Sequence, residues 1–160
     1  MFFSKFSFCI VRFSIAMVAA LLLTHSGVLR AESPLFAEGR TTWRVCAAEA
    51  SAPAILHAIE ELTNALKKVS NVDFPVQLGG KVPTSAAIVI GDLTHPLVQQ
   101  HQQALALTPG DIEQSAVKTI NGQLFLAGNQ PRGALYSVYT FLNRELGVRW
   151  LWPGDSGEFM

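Results

Sequence analysis

The chain has 160 residues, 12 Lys and Arg balanced by 12 Asp and Glu, and two cysteines. Zero net charge with no basic cluster beyond residue 31 removes the electrostatic footprint that phosphate-backbone binding needs, so nucleic acid is excluded as a partner. Cys9 falls in the N-terminal leader and Cys46 stays alone, so a processed chain has no intrachain disulfide. Cys46 lies in an apolar, strand-like run and reads as a small buried hydrophobe.

The leader combines Lys5 and Arg12 with the apolar run FSIAMVAALLL, Phe13 to Leu23, and then the polar THSG. That is the layout of a secretory signal peptide. The run falls short of the roughly 20 apolar residues of a permanent membrane span, so cleavage and a secreted or periplasmic product are expected, with no stable membrane anchor. Ala31 suits the last removed position, although Leu29 is larger than the usual small residue two places before it and Thr24-His25-Ser26 is a weaker rival. Cleavage after Ala31 leaves 160 − 31 = 129 residues, enough for one domain that buries about two-thirds of its unfolded surface. The expected organisation is a signal peptide over 1–31, a flexible lead-in over 32–40, one domain over 41–152 and the start of a linker over 153–160.

TTWRVCA, from Thr41, has strand composition, with Trp43, Val45 and Ala47 on one face and Thr42, Arg44 and Cys46 on the other. An amphipathic helix follows over Ser51–Ser70, where Ile55, Ala58, Ile59, Leu62, Leu66 and Val69 keep helical spacing. Ser51 can cap it, and Lys67 and Lys68 complement its dipole. Phe74–Leu78 and Ala86–Gly91 read as short strands, and the second is apolar throughout, which suits burial on both faces. A weaker helix spans Pro96–Leu107, with Asp92 as the cap for the segment after the second strand.

SAVKTI-NG-QLFLAG carries the strongest local signal, because Asn-Gly is the favoured pair of a type I′ hairpin turn. Pairing Ile120 with Gln123 sets Thr119 beside Leu124 and Val117 beside Leu126. Val117, Thr119, Leu124 and Leu126 should then meet helices, leaving Lys118, Ile120, Gln123 and Phe125 mostly wet. A closing helix is expected over Pro131–Leu146, with Asn129 or Gln130 as cap and Gly147 as left-handed stop. Its apolar arc is wider than the ~100° stripe of a surface helix. On the other side Gly133 and Ser137, beside Tyr136, form a small-residue groove open to close approach by another body, so both sides of this helix are expected to be covered.

The order strand, helix, strands and NG hairpin ending L-F-L-A-G-N, then P-R-G-A-L-Y-S-V-Y-T-F-L-x-x-E-L-G-V-R-W, resembles the N-terminal domain of family 67 alpha-glucuronidases. It resembles still more the related domains that open large secreted bacterial glycoside hydrolases of uncharacterised activity. The second domain of family 20 beta-hexosaminidases is similar in its last helix. The resemblance covers roughly Thr41 to Glu158 and is most specific from Ile120 to Pro153. It implies an α+β domain, a mixed, largely antiparallel sheet with the two main helices packed side by side on one face. It also implies that the acid and base carboxylates belong to a following TIM-barrel catalytic domain, against which the helices are held. RWLWPGDSGEFM then resembles the exit segment into that barrel, so the chain is expected to be a fragment of a longer product or a stand-alone remnant. The tail WLWPGDSGE fits the uncharacterised relatives better than true alpha-glucuronidases, which puts glucuronic acid in doubt as a substrate.

Four residues are candidates for binding. Arg132 opens the closing helix, where a sugar carboxylate or a partner carboxylate could dock; the plainer reading is an interdomain salt bridge. Trp150 and Trp152 point to one side of an extended strand and can stack on a sugar face or pack against a barrel. Tyr136 belongs to core or interface. Asp155 and Glu158 lie on a Gly-rich tail and read as a solvated linker rather than the paired carboxylates of a glycosidase. Glu145 reads as an ion-pair partner of Arg149 or Arg144. His95 and His101, six apart, lack the i, i+4 spacing of ligands on one helical face, so no metal site and no cofactor are expected.

The function expected is a noncatalytic accessory domain of a secreted, alpha-glucuronidase-like carbohydrate-active enzyme acting in polysaccharide degradation. The alternative is a stand-alone secreted carbohydrate-binding or scaffold protein using the tryptophans as a platform. N-terminal sequencing of exported protein should begin between Thr24 and Glu32; an intact Met1 in that material would mean an uncleaved anchor instead.

Overall fold

The computed structural model describes residues 34–150 and 158–159, with no side-chain description from Trp150 onward. Five strands form one sheet: β1 (Arg44–Ala47), β2 (Val76–Leu78), β3 (Ala87–Gly91), β4 (Ser115–Ile120) and β5 (Gln123–Gly128). Their order is β2-β1-β3-β5-β4. The long helices are α1 (Pro53–Ser70) and α4 (Pro131–Glu145), with two short ones, α2 (Pro96–Gln100) and α3 (Gln102–Leu105), between β3 and β4. A two-stranded antiparallel ribbon pairs β6 (Arg149–Trp150) with β7 (Glu158–Phe159), so the backbone doubles back after the last helix.

The fold is α+β with a mixed sheet, as expected, and the hairpin register is the one the Asn121-Gly122 turn implies: Ile120 faces Gln123 and Val117 faces Leu126. The predominance of antiparallel pairing is corrected. β1 pairs in parallel with both β2 and β3, β3 pairs in parallel with β5, and β4–β5 is the sheet's antiparallel pair. The reason lies in the connections. α1 returns the chain to the starting end before β2, the loop after Gly79 does the same before β3, and only the two-residue turn after Ile120 demands reversal.

Period-2 alternation divides the core. Trp43, Val45, Ala47, Ile88, Ile90, Leu124 and Leu126 join the buried residues of α1 and α4 in the larger cluster. Each large apolar side chain fully buried there contributes about 1.5–3 kcal/mol relative to exposure. α1 and α4 thus lie side by side on one face. The other face is not wet. Phe125, Val89 and Cys46 are buried there beneath Val98, Leu105 and Leu107 from the α2–α3 region, and Gln123 is buried as well. Burial also raises the Cys46 thiol pKa, consistent with an inert core residue. The single helix expected over Pro96–Leu107 is broken at His101, whose ring packs edge-on against Phe125 at 5.2 Å between centroids.

Local caps differ from expectation in two places. Ser51 donates to Ala48 O and accepts nothing from the first turn of α1, whose cap position is Ala52. Of the two residues expected to cap α4, Gln130 takes the N-cap position, without a side-chain cap bond, and Asn129 does not. Its Oδ1 accepts from Gln114 N at 2.8 Å, and its Nδ2 faces the carbonyls of Thr108, Gly110 and Ile112, fixing the loop before β4. Gly147 does take a left-handed φ of 71° after α4.

The small-residue side of α4 is filled by the chain itself. Gly133 and Ser137 are buried, and a Cβ at Gly133 would stand 2.2 Å from Gln114 O and 3.1 Å from Gly128 Cα. A Cβ at Gly128 would stand 2.3 Å from Ala134 N. The groove read as a docking track is therefore where α4 lies directly on the β4–β5 hairpin. Gly133→Ala should lower the unfolding free energy by about 1–3 kcal/mol in urea titration, while Gly110→Ala, with open space around it, should stay within about 0.5 kcal/mol. Equal midpoints for the two variants would contradict this packing.

Candidate functional site

The topology marks one place for a ligand. β1 is followed by α1 on one face of the sheet, whereas its neighbour β3 is followed by α2 on the other, so the chain parts between these strand ends. In open sheets with parallel strands such a switch point leaves a crevice beyond the carboxyl ends. A crevice of about 230 Å³ lies there, lined among others by Ser51, Asp92, Thr94, His95 and Pro131. A larger cleft of about 680 Å³ opens beside it, between the loop after β2, the α2 segment and the β4–β5 turn. His95 lines both.

Most polar groups of the crevice are satisfied within it. Asp92 Oδ1 accepts from Thr94 N at 2.9 Å and from Thr94 Oγ1 at 2.6 Å, a tight turn just after β3. Asp92 therefore shapes the approach to α2, and His95 is the cap, its Nδ1 accepting from Leu97 N at 3.2 Å. That bond fixes the tautomer, because a neutral imidazole accepting at Nδ1 carries its proton on Nε2. Gly91 makes the arrangement possible, since a Cβ there would stand 2.9 Å from His95 Cβ. Burial, the larger effect, lowers the His95 pKa from 6.5, and the Asp92 charge opposes it.

No nucleophile–base pair is assembled at this crevice, and among the described residues no group of three or more His, Cys, Asp or Glu side chains could hold a metal ion. His95 was legible only as half of a poor metal pair. The signal that could have found it is Gly91-Asp92 after a fully apolar strand, followed by His95-Pro96 at a helix start.

The structure brings Arg132 and Tyr136 together on α4. Arg132 Nη2 donates to Tyr136 Oη at 2.9 Å, and its Nε lies 3.2 Å from Glu113 Oε1. The guanidinium stands 5.8 Å from the Tyr136 ring centroid. The carboxylate facing Arg132 thus comes from its own domain. Tyr136 is 43% exposed, a large side chain left at the surface. The backbone of Trp150 lies in β6, but its side chain and all of Trp152 lie outside the described residues, as does Asp155. Glu158 is placed only by its backbone in β7, and Glu145 is exposed at the end of α4.

No family model matches the chain, and no curated protein matches it. Among solved structures it is similar to a family GH115 4-O-methyl-alpha-glucuronidase with specificity for decorated arabinogalactans, at a TM-score of 0.52 and 21% identity. The likeness covers 74% of this chain and spans 16% of that one. The fold is thus shared with a segment of a much longer, multidomain glycoside hydrolase. The described helices include none long and apolar enough to cross a membrane.

His95 gives this region a pH signature. Its folded pKa is lowered, so as pH falls below about 6.5 the unfolded chain takes up the proton first and the native state loses stability. His95→Asn keeps a cap acceptor and removes that titration. Unfolding free energy measured between pH 7 and pH 5 should therefore fall less steeply in His95→Asn than in the wild type. Parallel curves would contradict a buried, neutral His95.

Proposed function

We propose that the chain is a noncatalytic accessory domain of a secreted carbohydrate-active enzyme of the alpha-glucuronidase-like glycoside hydrolase type, working in polysaccharide degradation. The observation that carries this reading is the fold likeness, in which nearly three-quarters of this chain corresponds to a sixth or less of a glycoside hydrolase. A unit of that proportion suits a domain that accompanies a catalytic centre. The resemblance of Ile120 to Pro153 to the N-terminal domains of family 67 alpha-glucuronidases and their secreted relatives supports the finer assignment. It also supports a following TIM-barrel catalytic domain as partner.

In this reading residues 1–31 are a signal peptide that sends the product to the periplasm or beyond, residues 32–40 lead in, and 41–152 form the accessory domain. The segment from 153 begins the connection to the barrel. Arg132, Tyr136, Trp150 and Trp152 make up the surface turned to that partner or to the rim of its sugar pocket. The exposed Tyr136 beside Arg132 supports this role, since an aromatic ring and a guanidinium left at the surface are the residue types that interfaces favour.

The chemistry supports a noncatalytic part. Catalysis of glycoside hydrolysis needs carboxylates held rigidly in mutual reach, and the less exposed of the described acids are engaged singly and apart: Asp92 in its turn with Thr94, Glu113 with Arg132 and Glu61 beside His57 on α1. The purified chain should therefore leave aryl glycosides and aryl glucuronides uncleaved above the buffer rate. A reproducible rate that vanished in Asp155→Asn or Glu158→Gln, with the circular dichroism spectrum unchanged, would overturn the noncatalytic reading.

A further inference from the structure

The larger cleft holds two buried side chains with hydrogen-bonding capacity left over. His95 is 5% exposed and uses Nδ1 on Leu97 N, which leaves Nε2–H as a donor. Gln123 is 7% exposed and donates from Nε2 to Pro83 O at 2.5 Å, which leaves Oε1 as an acceptor. Among the described residues no fully enclosed side-chain nitrogen or oxygen lacks a partner. The free atoms of His95 and Gln123 are therefore not fully enclosed, and both residues line the larger cleft.

Their placement sets the size of a ligand. Gln123 stands opposite Ala87 at one end of β3, and His95 packs over Gly91 at the other. Four residue steps at ~3.3 Å separate these ends by about 13 Å, longer than a single sugar ring can bridge with hydroxyls at both ends. Leu97, Val82 and the edge-packed ring of His101 give the cleft lining an apolar strip. Such a strip suits the C–H faces of sugar rings. Charge sets the class: the formally charged side chains lining the cleft are Glu49 and Lys81, one of each sign and both exposed, whereas carboxamides recur at Gln100, Asn121 and Gln123. Carboxamides donate and accept alike, as hydroxyls do.

We propose that this cleft binds a neutral oligosaccharide lengthwise, with His95 Nε2 donating to a hydroxyl at one end and Gln123 Oε1 accepting from a hydroxyl at the other. The proposal rests on the carbohydrate reading above and gives it a site on the face of the sheet away from α1 and α4. The helix face stays available to a catalytic partner, so the domain can hold a chain and dock at the same time.

The test is an NMR titration of the ¹⁵N-labelled full chain with xylotetraose, cellotetraose and galactotetraose, and with glucuronic acid as the charged comparison. Saturable shifts at Lys81, His95, Gln100 and Gln123 with at least one neutral tetraose are expected. Loss of one hydrogen bond in His95→Ala should weaken that affinity about three- to tenfold. Gln100→Ala, at an exposed position that leaves the fold alone, should weaken it about twofold or more and decides the matter if His95→Ala does not fold. No saturable shift with any tetraose, shifts confined to the Arg132–Tyr136 surface, or a response to glucuronic acid alone would overturn the site. Each of those results leaves the accessory-domain reading standing, because that reading fails only if the chain itself hydrolyses glycosides.

Discussion

The arrangement depends on two missing β-carbons. Gly128 ends β5 and Gly133 sits in the first turn of α4, and their backbones meet so closely that a methyl group on either would overlap main-chain atoms. This contact sets how near α4 lies to the hairpin. Ala134, Val138 and Phe141 then reach the larger cluster, and Ser137, with its hydroxyl turned back to Ala134 O, is fully enclosed. A methyl at Gly133 would also strike Gln114 O, just before β4, so the same contact ties the helix to both arms of the hairpin. Asn129 completes the junction by holding the loop that carries Glu113, and Glu113 in turn faces Arg132.

That junction changes what the segment LAGNQPRGALYS means. Its density of unusual residues reads as a docking track when only the helix is considered. In three dimensions most of it is the closure between a hairpin and the helix that follows. Gly128 and Gly133 permit contact, Asn129 braces a loop and Pro131 starts the helix. Arg132 and Tyr136 are the members of this twelve-residue segment that stand exposed.

What was legible in the sequence was local. The Asn121-Gly122 turn fixes the hairpin register through geometry alone, and alternation in TTWRVCA sends Val45 and Cys46 to opposite cores. Periodicity likewise marks the buried positions of α1, although Val69 near its end is exposed. Strand direction was not legible, since parallel and antiparallel partners draw on the same apolar residues and only the connections tell them apart. The second core was missed for a related reason. Phe125 reads as outward when Lys118 and Gln123 share its face, yet the broken helix Pro96–Leu105 folds over it from a distant part of the chain. His95 followed the same pattern, because its meaning comes from Gly91 beneath it and from clefts formed by loops the sequence leaves unplaced.

A sheet covered on both faces divides its surface in a way one-sided packing would not. On one face the long helices fill the space and turn outward the guanidinium and ring that suit a flat partner. On the other, two helices of five and four residues are too short to roof the sheet completely. The loop after Gly79 crosses that face without helical structure, and the gap between loop and helices is the cleft. Incomplete coverage normally leaves polar groups to water. Here two of them, on His95 and Gln123, are buried in their own packing yet keep one free atom each, so water that meets them is held by fixed partners in a cleft with an apolar strip. Replacing such water with hydroxyls already spaced along a chain retains the hydrogen bonds and removes apolar surface from solvent, so the balance favours an elongated neutral ligand over a compact charged one.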